Sequence, residues 1–261
     1  MHKHHEEAIE NLIAFYKGKP GIIAVILGGS VAKGLERIDS DIDAVIVVTD
    51  EKYGELAWEG RLCEGPADGC NYDGGYYDVK FVTKGFLAAV GSHGSEPARN
   101  AFVKARVLFS YDAEIYDIVP RLGVYPKHEK DERMKSFFSA FAMHQGYYWD
   151  CAKNNPYLKI RTVSEIILYG YRLLLLHNET LFPCQRNLVE TVAELADKPV
   201  GIVEKGNRFI SVMTQEAKDD FAQSITDFFK FPETMWHGSV ARFVDDNEQW
   251  WYKNRPNIAE W

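Results

Sequence analysis

The hydrophobic period changes near residue 125, and this limits the possible folds more than any other feature of the chain. Before that point the apolar residues come in strand-like runs. Ile22 to Leu27 and Ala44 to Val48 are continuous aliphatic stretches, the pattern of strands covered on both faces. Residues 76–83 alternate instead, with Tyr77, Val79 and Phe81 on one side and Tyr76, Asp78 and Lys80 on the other. Residues 105–111 predict a fourth strand, residues 6–17 an N-terminal helix and residues 113–122 a short helix. After Gly123-Val-Tyr-Pro126 the spacing becomes helical. Helices are expected over 129–153, 159–177, 185–196 and 215–230, with breaks at Asn154-Asn-Pro156, Pro183 and Pro232. The reading is an α+β chain with two domains. A mixed sheet with flanking helices fills 1–125 and a helical bundle fills 126–261.

Composition narrows the function. Thirty basic against 38 acidic residues leave a net charge of −8, which does not seek phosphate backbones and tolerates a cationic small molecule. The four cysteines form no CxxC pair, so neither a disulfide framework nor a zinc ribbon is indicated. The longest apolar runs, such as Leu173 to Leu176, are far too short for a membrane span, and the start Met1-His-Lys-His-His has no signal-peptide core. A cytoplasmic protein of a reducing compartment is expected.

Chemistry concentrates in Leu27-Gly-Gly-Ser-Val-Ala-Lys-Gly-Leu-Glu-Arg-Ile-Asp-Ser-Asp-Ile-Asp43. A strand ends at a Gly-Gly-Ser turn that opens a short helix. Gly28 and Gly29 let the backbone approach a bulky anion, Ser30 adds a hydroxyl donor, and Lys33 adds a cation. Asp41 and Asp43 stand at i and i+2 at the start of the next strand, on one face with Ile42 on the other. Two carboxylates beside a phosphate cradle suit Mg²⁺. A Walker A loop is excluded because no Gly-Lys-Ser/Thr follows, and the third glycine of a Rossmann fingerprint is not in place.

This pattern resembles the signature of the DNA polymerase β-like nucleotidyltransferase superfamily, and its form here is most similar to the aminoglycoside and lincosamide (antibiotic) nucleotidyltransferase branch. The resemblance implies a third carboxylate on a neighbouring strand. Asp78 fills that role better than Asp68 or Asp73, which lie in the Gly-rich loop 59–75, and an antiparallel placement of its strand beside 41–48 would bring the three together. It also implies a C-terminal helical domain on the substrate side, where Arg172 to Arg186 resembles a recurring helix–turn–Pro–basic piece ending at Arg186. The implied reaction is metal-dependent, pyrophosphate-releasing transfer of a nucleoside monophosphate, AMP from ATP, to a hydroxyl of a small molecule such as an aminoglycoside. Asp41, Asp43 and Asp78 would hold two Mg²⁺ ions, while Gly28, Gly29, Ser30, Lys33 and Ser40 bind the nucleotide, Ser40 also supporting the metal site. The expected partner is a small-molecule acceptor presented across the interdomain cleft to a monomer or homodimer, without DNA, RNA or membrane. An antitoxin-type, protein-modifying transferase and a non-catalytic nucleotide-binding regulator are the alternatives.

Other residues have plainer readings. Glu165 sits mid-helix with Arg161 at i−4, which reads as an intrahelical ion pair or as a carboxylate that orients the acceptor. His144 reads as a core or surface residue. Arg99 and Lys104 read as a solvated basic pair, His2, His4 and His5 as a frayed terminus, and the late tryptophans as packing for the helical domain.

Overall fold

The computed structural model describes residues 1–253, 258–259 and 261. The chain divides into two compact units, Met1–Val124 and Tyr125–Trp261. The first runs α1 (Lys3–Tyr16), β1 (Ile22–Leu27), α2 (Gly29–Lys33), β2 (Ile42–Val48), α3 (Asp50–Trp58), β3 (Tyr77–Thr83), α4 (Lys84–His93), α5 (Glu96–Asn100), β4 (Arg106–Ser110) and α6 (Glu114–Leu122). Its four strands form one mixed sheet in the order β3-β2-β1-β4. β1 is antiparallel to β2 and β4, whereas β2 and β3 run parallel. The antiparallel placement expected for β3 is therefore wrong. Alternation in a strand dictates which face each residue takes but not the direction of its neighbour.

Central position explains the aliphatic run of β1. Ile22, Val25 and Leu27 join a cluster with Ala8, Leu12 and Tyr16 of α1 on one face. Ala24 and Ile26 join Leu87 and Val90 of α4 and Ile115, Val119 and Leu122 of α6 on the other. Each valine, leucine or isoleucine among them contributes about 1.5–3 kcal/mol on full burial. In β2 and β3 the α1 face takes Ile42, Ala44, Ile46, Tyr77, Val79 and Phe81. The opposite face ends in Val47 and Val82 beneath α4 and begins, by alternation, with Asp43 and Asp78.

The N-terminus is not frayed. His5 is fully buried in α1, and the His4 ring lies 4.4 Å from that of Tyr72 while its Nε2 meets the Ile38 carbonyl at 2.9 Å. Arg99 is not solvated either. Its side chain is buried and donates to the carbonyls of Gly94 and Gly91 at the end of α4.

The second unit contains α7 (Lys130–Met143), a π-helical turn (His144–Tyr148), α8 (Trp149–Cys151), α9 (Pro156–His177), α10 (Leu188–Ala193), α11 (Ile202–Val212), α12 (Gln215–Phe229), α13 (Glu233–Phe243), a second π-helical turn (Val244–Glu248) and α14 (Trp250–Lys253). The helix expected over 129–153 is thus interrupted by a π turn. Asn155 caps α9 by accepting from the Leu158 amide, and Pro156 takes the first position, where a missing N–H costs nothing. Phe137, Phe141, Leu173 to Leu176, Phe209 and Phe221 form the core. Arg172 is buried there between the Phe137 and Phe182 rings, each 4.3 Å away, and donates to the carbonyls of Ala259 and Trp261. Trp250 and Trp251 are exposed, contrary to the packing role expected of them. Among the described residues no helix is long and apolar enough to cross a membrane.

Candidate active site

The site begins where β1 stops. The Gly28 amide donates to the Asp43 carbonyl at 2.9 Å, tying the turn to the start of β2. Gly29 has a φ of +62°, and a Cβ built there would overlap the Asp43 carboxylate. Glycine is required at this position by both conformation and space. Ser30 lies half-buried in the first turn of α2, and Lys33 closes that helix with its Nζ donating to Asn100 Oδ1 at 3.0 Å. The Lys104 Nζ reaches the Lys33 carbonyl at 3.3 Å.

The parallel register sets Asp43 directly beside Asp78. Asp41, one residue before β2, shares their face. One oxygen from each of Asp41, Asp43 and Asp78 lies within 4.8 Å of the others, all three residues being half-buried. Burial, followed by the charges of Asp41 and Asp78, pushes the Asp43 carboxyl up from 3.8 to about 6, with Lys80 and Lys33 acting in the opposite sense. Lys80 Nζ stands 3.9 Å from Asp78 Oδ2. Three crowded carboxylates that resist joint ionisation fit a divalent cation, which supplies the missing positive charge and takes hard oxygen ligands.

Ser40 is buried beside this cluster and shapes its backbone. Its hydroxyl accepts from the Arg37 amide at 2.9 Å and its carbonyl accepts from the Tyr72 hydroxyl at 2.8 Å. Tyr76 was not singled out by sequence. A hydrogen bond to Asp41, then the Asp41 charge, raises its phenol to about 12. The available signal was its phase, since Tyr76 alternates onto the Asp78 side of the strand.

The two residues expected on the substrate side belong to the second unit. Glu165 Oε1 stands 3.7 Å from Arg161 Nε, the pairing that the i−4 spacing predicts. Arg186 is exposed in the turn before α10 and does not line the pocket that Glu165 lines. The four cysteines are free.

Residues 9–92 match the family model described as nucleotidyltransferase domain, a span that contains the Gly-Gly-Ser turn and all three carboxylates. The matched span lies within the N-terminal unit. Among solved structures, a nucleotidyltransferase-like protein from Exiguobacterium sibiricum is similar at 10% identity, covering 92% of this chain and 77% of that one with a TM-score of 0.46. No curated protein matches the chain in sequence.

Proposed function

We propose that this chain transfers a nucleoside monophosphate, AMP from ATP, to a hydroxyl group of a small molecule and releases pyrophosphate. The carrying observation is the convergence of Asp41, Asp43 and Asp78 within 4.8 Å beside a turn whose Gly29 leaves no side chain in the way. Mg²⁺ bound there supplies Lewis acidity to the triphosphate and the attacking hydroxyl. The chain's own groups do the rest. The Gly29–Ser30 backbone and the Ser30 hydroxyl hold phosphate oxygens, with Lys33 adding positive charge on the same side. Asp78 accepts the proton of the acceptor hydroxyl as its oxygen bonds to the α-phosphorus and the α–β bridging bond breaks. Ser40 and Tyr72 fix the backbone that aims Asp41. The net charge of −8 favours a neutral or cationic acceptor over nucleic acid, and an aminoglycoside, a lincosamide or a hydroxylated metabolite all satisfy that condition.

The test is pyrophosphate release from Mg-ATP across a panel of those three acceptor classes, with Asp41→Asn and Asp43→Asn as controls. Acceptor-dependent release that falls at least a hundredfold in both variants is expected. Release unaffected by either substitution, or label delivered only to a co-purifying protein, overturns the proposal.

A further inference from the structure

The pocket that Glu165 lines lies wholly within the helical unit, with a volume of about 260 Å³ between α9 and the two π-helical turns. A π turn adds a residue to the helical circuit and swings side chains off the regular face, and such turns recur at functional sites. His144 and Tyr148 come from the first turn, Asn247 and Glu248 from the second.

Two polar side chains of this pocket, Thr162 and Glu165, are left over from folding. Thr162 is fully buried in α9, yet its hydroxyl has no hydrogen-bond partner. A hydroxyl within a helix can donate to the carbonyl four residues back. Ser139, Thr191, Ser224 and Thr226 of the same unit all do so. One turn further along α9, Glu165 keeps one oxygen buried without a partner, while the other is too far from Arg161 for a good hydrogen bond. Burial pushes this carboxyl above its usual range, and Arg161 offsets part of that rise. His144 Nδ1 donates to the Ala140 carbonyl at 2.7 Å, and burial holds the ring neutral, with its pKa lowered to about 4. Its Nε2 therefore presents a lone pair.

These three groups can all accept, and a primary ammonium carries three N–H donors and no acceptor. The surroundings suit a cation as well. Glu248 adds a second carboxylate, and the rings of Tyr148 and Tyr169 lie 4.9 and 6.0 Å from that of His144. The Arg161 side chain is 60% exposed, and the terminal torsion of Glu165 is broad enough to present either oxygen. We propose that this pocket binds the primary ammonium group of a small aliphatic molecule through Glu165, Thr162 and His144. The assignment does not depend on the nucleotidyl-transfer reading.

Calorimetric titration of the full chain with 1,4-diaminobutane at pH 7.5, without nucleotide or divalent metal, tests it. Saturable one-to-one binding is expected, at least tenfold weaker in Glu165→Gln and unchanged in Asp41→Asn. n-Butanol, which has the chain but not the charge, should not bind. The ring resonances of His144 in a ¹H–¹⁵N correlation spectrum should shift with the diamine, a readout that needs no variant. Absence of saturable binding, binding that survives Glu165→Gln, binding lost in Asp41→Asn, or an unmoved His144 ring overturns the proposal.

Discussion

Asp43 carries the conflict on which the candidate active site is built. Its carboxylate is ordered by the β2–β3 register and by contact with Gly29, in a place where burial and two like charges oppose ionisation. The folded pKa of about 6 lies above the ordinary 3.8, so the unfolded chain gives up this proton more readily. Stability from this group is fully present below about pH 4 and is lost as pH rises through 6. Asp43→Asn should therefore stabilise the metal-free chain at pH 7.5, by about 1 kcal/mol once solvent screening of a half-buried group is included. Added Mn²⁺ should raise the urea midpoint of the parent and leave that of the variant in place. A variant that is less stable, or that gains as much from Mn²⁺, would remove Asp43 from the charged cluster.

Elements differ in how much of themselves they disclose in sequence. Asp41 and Asp43 were legible because an i, i+2 pair must share a strand face, and Asp78 because it lies out of phase with Tyr77, Val79 and Phe81. The direction of β3 was not, since pairing is decided by the connection through α3 and the loop after it. Helices α11 and α13 escaped because each carries an internal glycine and β-branched residues, and packing overrides that weak propensity: Ile202 and Phe209 are buried in the shared core. The first π turn was invisible because helical spacing continues through it. That turn makes the helical unit acid-sensitive. His144 titrates at 6.5 when unfolded and about 4 when folded, chiefly through burial. A lowered histidine pKa means that the unfolded state binds the proton first, so stability falls as pH drops from about 6.5 towards 4, by up to about 3 kcal/mol. Comparing urea midpoints at pH 7.5 and 4.5 should show a smaller acid loss in His144→Phe than in the parent. Equal losses would place the sensitivity elsewhere.

At the scale of the whole molecule, each hydrophobic cluster among the described residues lies inside one unit. The carboxylates, the Gly-Gly-Ser turn, Tyr76 and Ser40 all belong to Met1–Val124. A unit of that length buries enough surface to fold alone. The fragment 1–124 should fold cooperatively and bind Mn²⁺ within about threefold of the full chain, since each 1.4 kcal/mol of lost affinity would cost tenfold. Isothermal titration of both proteins checks this. An unfolded fragment, or one that has lost the metal, would show that the helical unit helps to assemble the site.

The contact between Gly29 and Asp43 also restricts the evolutionary routes open to this turn. Left-handed backbone alone would admit asparagine at 29, but any Cβ there collides with the carboxylate at 43. A lineage can acquire a side chain at the first position only after shortening the second, and so only after surrendering one of the three clustered carboxylates. In descendants of this sequence, a residue other than glycine at 29 would mark a chain whose carboxylate cluster has already been broken.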